Sequence, residues 1–283
     1  MEKINLDIEL ECQSNDPKVY IKSSQDMSEV PSGSVNLIIT SPPYWSLKDY
    51  GTDDQIGFGS SSYQAYLDEL NKVWKECVRV LAPDGKLCIN IMPFLLTGKA
   101  AKFDRRETRL VLDDISNFLN STNEMFQFGL YIWDKRKITR FSSFGSYPFP
   151  PNIFSTYPYE WITIFSKQGK RKPVDKEIKE KSKLTTKEWQ DWAINSIWEM
   201  QPARAKSENH PAPFPEELPR RLIKLYSFWG DTVLDPFLGT GTTCKVAMEL
   251  GRKGIGYELN KDYLPLINKK LSSVGFQHEL EID

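Results

Sequence analysis

The residues of this chain that could do chemistry gather at two places. The first is Ser41-Pro42-Pro43-Tyr44, directly after the apolar run Val35 to Thr40. The Ser41 hydroxyl oxygen and the Pro42 carbonyl are two hydrogen-bond acceptors on adjacent residues, and the prolines hold them in a rigid turn. Such a pair suits an amine whose lone pair is delocalised into an aromatic ring. Acceptors aimed at the amino protons draw the nitrogen toward a tetrahedral form and expose that pair for attack. Tyr44 adds a ring on which a flat, extruded base can stack. No covalent nucleophile is required.

The second place is Asp235-Pro236-Phe237-Leu238-Gly239-Thr240-Gly241-Thr242, which follows the short run Thr232 to Asp235. Gly239 and Gly241 permit a tight turn and close approach of a ligand. No Walker lysine follows, and the third glycine of a dinucleotide fingerprint is missing. Glu258 ends the next apolar run, and a carboxylate there can accept hydrogen bonds from ribose hydroxyls. The loop therefore predicts a nucleoside ligand not held through phosphate. S-adenosyl-L-methionine meets that description. Asp235 would face its amino-acid tail, and the rings of Phe237 and Tyr44 would favour its sulfonium. Transfer would be a direct in-line displacement at the methyl carbon.

Both loops need a strand before them and a helix after them. Val35–Thr40 reads as a buried strand. Tyr63, Tyr66, Leu67, Leu70, Val73, Trp74, Cys77, Val78 and Leu81 recur at three and four, the apolar stripe of a helix. Ala82-Pro83-Asp84-Gly85 should stop it, and residues 86–92 read as the next strand. Near the other end, 232–235 and 254–259 are strands around a helix over about 242–250. Residues 260–271 look helical, with Pro265 confining the helix to its later part. Residues 128–133 and 161–165 are further strands, 141–158 is a long ordered loop, and 184–197 holds a short helix with Trp189 and Trp192. Alternating strands and helices imply an α/β fold with a mainly parallel sheet.

Bulk properties bound the rest. A chain of 283 residues, 40% hydrophobic, suits a single catalytic domain over 1–283. No apolar run reaches the roughly 20 residues of a membrane helix, and no signal segment opens the chain, so a cytoplasmic protein is expected. Cys12, Cys77, Cys88 and Cys244 form no CxxC pair and only two histidines are present, which excludes a zinc site and predicts no metal. Net charge is −1, yet residues 166–187 hold nine Lys/Arg against three acids. Lys170, Arg171 and Lys172 are candidate phosphate contacts beside the catalytic cleft. Smaller basic clusters lie at 102–109 and 135–140. Candidate target-recognition insertions fall within 93–123 and 166–196.

VNLIITSPPYW, VRVLAPDGKL, IWDK, HPAPFPEELPRRLI, VLDPFLGTGTT and GIGYEL together resemble the DNA amino-methyltransferases of the β arrangement. In that circularly permuted order the catalytic tetrapeptide precedes the cofactor loop. The resemblance spans about Tyr20 to Leu271. It implies a class I methyltransferase, Rossmann-like sheet with one antiparallel strand at an edge and a small target-recognition insertion. It implies S-adenosyl-L-methionine as cofactor and double-stranded DNA as partner, in a prokaryotic restriction-modification setting with a separate cognate endonuclease. A serine at the first tetrapeptide position usually accompanies cytosine N4 methylation, an aspartate adenine N6 methylation. Pro213 and Phe214, in His210-Pro211-Ala212-Pro213-Phe214-Pro215, resemble the segment along the methionine part of the cofactor. Asp26 resembles a position near the adenine, although the family often has Gly-Asp where this chain has Gln25-Asp26.

Other readings stay open on the sequence. They are adenine N6 methylation on the same scaffold, a structured RNA or small-amine substrate, and a catalytically silent DNA-binding subunit. The chain is expected to act as a monomer or homodimer.

Overall fold

The computed structural model describes residues 17–52, 54–59, 62–96, 106–136, 144–146, 148–203 and 214–274. Twelve strands are present among them: β1 Lys18–Tyr20, β2 Val35–Thr40, β3 Leu81–Ile91, β4 Phe94–Leu96, β5 Glu107–Arg109, β6 Met125–Asp134, β7 Phe144–Gly145, β8 Ile153–Phe154, β9 Tyr159–Lys167, β10 Ile197–Glu199, β11 Thr232–Asp235 and β12 Lys253–Tyr257. The helices are α1 Tyr63–Val80, α2 Val111–Ser121, α3 Lys176–Lys181, α4 Thr186–Glu188, α5 Glu217–Tyr226, α6 Thr242–Glu249 and α7 Leu264–Ser272. A π-helical turn, Trp189–Ile194, continues α4. Among the described residues, no helix is long and apolar enough to cross a membrane.

Eight strands form one sheet in the order β1-β12-β11-β2-β3-β9-β6-β10. All neighbours are parallel except the two pairings of β9. The single antiparallel strand is thus present, but it lies inside the sheet between β3 and β6 and not at an edge. Side chains from Leu37 to Ile39 alternate between the two faces, and Val35 precedes a register shift in the ladder. Val35 and Ile38 join a core with Tyr66, Leu70, Val73 and Trp74 of α1 and Ile115 of α2. Leu37 and Ile39 join a second core with Leu218, Leu222 and Ile223 of α5 and Val246 of α6.

Two sequence expectations change here. The 82–85 turn does not separate helix from strand. Leu81 already pairs with Val35, and the ladder resumes with Lys86 opposite Leu37, so the intervening residues bulge out. Asp84 sits there at φ 64°. Within 93–123, α2 is the crossover helix between β3 and β6, so only the β4–β5 part of that segment is spare material.

Candidate active site

Strand direction decides what can meet at the site. The loops after β2, β3, β6, β11 and β12 all leave the sheet at one edge, the carboxyl ends of its parallel strands, where such sheets bind ligands. Ser41 follows β2 and Pro236 follows β11, the adjacent strand. The catalytic and cofactor loops are neighbours because their strands are.

Buried partners hold the catalytic loop. Tyr66 of α1, fully buried, donates its hydroxyl to the Pro43 carbonyl at 2.8 Å. Tyr44 Oη lies 3.3 Å from Ser41 Oγ. The Tyr44 ring is 7% exposed and meets Phe94 edge-on at 5.8 Å. Burial pushes its phenol well above the usual range, and the charge of Glu160 adds to the shift, so the hydroxyl keeps its proton. Tyr44 therefore does not offer the open stacking face expected from sequence. It offers a hydroxyl to Ser41 instead.

A cavity of about 920 Å³, counting its open mouth, lies between the two loops. Ser41 and Pro43 form one wall, and Pro236, Phe237, Gly239, Thr240 and Thr242 another. Gly239 and Gly241 have φ of 56° and 88°, the left-handed region that other residues avoid. This turn brings the Gly239 amide within 2.7 Å of Glu258 Oε2, while the Asn260 amide binds Glu258 Oε1 at 2.7 Å. Glu258 lines the cavity just beyond the end of β12. Burial raises its carboxyl to about 7, against the pull of those two amides.

A nucleoside with an amino-acid tail fits this donor set. Glu258 can accept from ribose hydroxyls, Phe237 and Ile56 supply apolar walls, and Thr240 and Thr242 supply hydroxyls beside the amino end of α6. Lys270 Nζ donates to both threonine hydroxyls, at 2.7 and 2.8 Å. It thereby fixes the orientation of both hydroxyls.

The remaining expected residues fall less uniformly. Phe214 lines the cavity, whereas Pro213 lies outside the described residues. Pro42 is buried and, like Gly241, is not part of the lining. Asp235 is fully buried behind the cavity. It accepts from Thr40 Oγ1 at 2.9 Å, Thr243 Oγ1 at 2.6 Å and the Phe237 amide at 3.0 Å. It positions the two loops and does not face a cofactor tail. Burial raises its carboxyl to about 6. Asp26 also stands outside the lining. Its exposed carboxylate bonds Lys22 at 3.2 Å and the Ser28 amide at 3.1 Å, which hold it below the usual carboxylate range.

Lys170, Arg171 and Lys172 require the largest correction. Strand β9 is antiparallel to its neighbours, so it starts at the cleft edge and ends at the opposite one. Ser166 stands across from Lys86, at the far end of the sheet from Ser41. Arg171 binds Asp231, which precedes β11, at 2.5 Å and lies over the Phe228 ring at 4.8 Å. The segment follows the strand end opposite the one from which the catalytic loop leaves and does not stand beside the cleft. Lys135 and Arg136, at the end of β6, do lie at the cleft edge.

Several lining residues had no sequence signal. Lys22, Ser23 and Ser24 follow β1, while Tyr50, Thr52 and Gln55 come from the loop after the tetrapeptide. That loop is tied across the cavity by Asn260 Nδ2 donating to the Tyr50 carbonyl at 2.8 Å. Single polar residues in irregular loops have no periodicity to mark them.

Comparison with known proteins agrees with this geometry. The family model described as DNA methylase, of the N6/N4 methyltransferases, matches residues 35–269. The type II methyltransferase M.MjaI of Methanocaldococcus jannaschii is 35% identical, over 90% of this chain and 90% of its own. M.MthZI of Methanothermobacter thermautotrophicus is 33% identical, over 90% of this chain and 76% of its own. A putative DNA modification methylase of Thermus thermophilus, TTHA0409, solved in complex with S-adenosyl-L-methionine, superposes with a TM-score of 0.74 at 30% identity, covering 92% of this chain and 96% of its own. With the family model spanning both loops and the helices between them, the chain belongs to the N6/N4 family of S-adenosylmethionine-dependent DNA methylases.

Proposed function

We propose that this enzyme methylates the exocyclic N4 amine of cytosine within a specific double-stranded DNA sequence, with the target base extruded into the cleft. The observation that carries the reading is Ser41, a neutral hydroxyl on the wall of the cavity that also presents Glu258. A bound S-adenosyl-L-methionine supplies an electrophilic methyl group. The chain's part is to orient the amine and prepare its nitrogen. When the Ser41 hydroxyl donates to Tyr44 Oη, both Ser41 lone pairs are left for the amino protons. We assign the second acceptor to the Pro42 carbonyl on the strength of the tetrapeptide pattern, although Pro42 does not itself line the cavity, and the Tyr66 bond to Pro43 keeps the turn rigid. These contacts strengthen as the nitrogen becomes tetrahedral, so they act on the transition state more than on binding. Extrusion is required because an amine inside a stacked duplex is out of reach of a recessed cavity.

The test is transfer of labelled methyl to DNA followed by nucleoside analysis, with methylation mapped across a genome expressing the chain. N4-methylcytosine in one sequence context is expected. N6-methyladenine would overturn the choice of base, and cofactor binding without any transfer would favour a silent DNA-binding subunit.

A further inference from the structure

We propose that Phe149 is a wedge that enters the DNA duplex and fills the space left by the extruded base. The proposal rests on the base-extrusion reading above. Chain direction is the first argument. Residues 135 and 136 follow the end of β6, and residues 148–158 return to the start of β9, with Asp134 opposite Tyr159. Trp161 stands opposite Ile91, and Ile89 opposite Thr40. This excursion therefore rises from the same sheet edge as Ser41.

Its construction is the second argument. The Lys135 amide donates to the Pro158 carbonyl at 2.8 Å and closes the base of the excursion. Tyr157 Oη lies 3.1 Å from Thr108 Oγ1, which ties the returning chain to β5. Strands β7 and β8 pair as a short antiparallel ribbon. At its turn the Ser146 amide donates to the Asn152 carbonyl at 2.8 Å, and the Phe149 amide to the Ser146 carbonyl at 2.7 Å. The Ser146 hydroxyl donates to the Phe149 carbonyl. Phe149 is thus carried on a hydrogen-bonded turn, yet it is 72% exposed, and Ile153 on β8 is 58% exposed.

Phe149 is the most exposed aromatic ring among the described residues. Phe126 and Phe128 lie at the start of β6 and Trp229 before β11, all at the edge opposite the cleft. Phe58, on the loop after the tetrapeptide, shares the cleft edge but is only 41% exposed. A lone apolar side chain on a surface is ordinary, but Phe149 combines high exposure with a hydrogen-bonded turn on an excursion rooted at the cleft edge. At this edge the partner is a polyanionic duplex. Arg136, at the foot of the excursion, is held by a bidentate pair with the buried Asp134 at 2.7 Å while its side chain stays 71% exposed, and Lys48, after the tetrapeptide, is exposed too. Apolar side chains inserted between base steps unstack and distort a duplex, and a ring entering the stack can fill the space of a base that has left it. The ring offers a flat face to the neighbouring base pairs, and the cations meet the phosphates on either side.

The test uses the intact enzyme and a duplex carrying the mapped target site. One version is fully paired, one has a mismatch opposite the target base, and one has a fluorescent base analogue at the target. In Phe149→Ala, single-turnover methylation of the paired duplex should fall about 5- to 150-fold, the range for one lost base–aromatic stack. The extrusion signal should fall with it. On the mismatched duplex, where pairing no longer opposes extrusion, the defect should shrink to within about 2-fold. Phe149→Trp should restore the paired rate, and cofactor affinity should match wild type in both variants. A Phe149→Ala enzyme with wild-type rate and extrusion on paired DNA would overturn the wedge. So would an equal loss on paired and mismatched DNA. Absence of any extrusion signal in the wild type would instead overturn the base-extrusion reading itself.

Discussion

Thr40 Oγ1 donates a hydrogen bond to Asp235 Oδ1 at 2.9 Å, and so joins the last residue of β2 to the last residue of β11. Each is the residue on which a functional loop begins. The other oxygen of Asp235 is taken by Thr243 Oγ1 at 2.6 Å, at the start of α6. One buried carboxylate thus sets the catalytic turn and the cofactor turn against each other. Asp235→Ala should destabilise the fold by about 1–3 kcal/mol, because it strands buried donors. Thr40→Val should cost about 1 kcal/mol. Urea unfolding midpoints measure both, and an unchanged midpoint in Asp235→Ala would remove the positioning role.

Glu258 and Asp235 both have carboxyls raised by burial, to about 7 and about 6. A raised acid holds its proton longer when folded than when unfolded. The cofactor-free protein should therefore lose stability as pH rises from about 4 through about 7, the span between the unfolded and folded values. Cofactor binding should run the other way. A ribose hydroxyl donates to an ionised Glu258, so affinity should rise between about pH 6 and 8 with release of a proton. Calorimetry in two buffers of different ionisation enthalpy measures that proton. In Glu258→Gln the affinity should be lower and its pH dependence lost.

Ser41 and Tyr44 can be separated by conservative variants. Ser41→Ala deletes an acceptor that matters in the transition state, and single-turnover transfer should fall by about 10²-fold with cofactor affinity little changed. Tyr44→Phe keeps the ring against Phe94 and deletes the hydroxyl that meets Ser41. A smaller loss of rate, near tenfold (about 1.4 kcal/mol), is expected. Wild-type transfer by Tyr44→Phe would show that the hydroxyl is dispensable.

Lys270 reaches from α7 to the two threonines of the cofactor loop. Lys270→Met should weaken binding of S-adenosyl-L-methionine by about tenfold, as expected for charge-assisted hydrogen bonds on one wall of the site. Binding of an analogue lacking the tail carboxylate should change less. Equal losses for the two ligands would mean that Lys270 only shapes the loop.

The basic segment after β9 gives the opposite expectation. Neutralising Lys170 and Lys172 should leave the salt dependence of DNA affinity unchanged, while Arg136→Ala and Lys48→Ala together should flatten it. Arg171→Ala should lower thermal stability through its lost pairing with the largely buried Asp231. A flatter salt slope in the Lys170/Lys172 variant would return that segment to the DNA surface.

Sequence by itself determined the two loops, their order and the elements that carry them. Val35–Thr40 and Thr232–Asp235 are short apolar runs cut off by prolines, and α1 carries its stripe from Tyr63 to Val80; such signals are local and survive without a fold. Glu258 was legible because its place at the end of the next strand follows from the same unit. Tertiary structure decided which side chains reach the cavity and which end of the sheet each excursion leaves. Asp235 and Tyr44 look available in a linear motif, yet the partners that bury them, Thr40, Thr243 and Phe94, come together only when separate elements pack. The 166–187 cluster reads as cationic wherever it lies. It falls away from the cleft because β9 runs antiparallel, and strand direction is set by pairing with β3 and β6, to which apolar periodicity is blind.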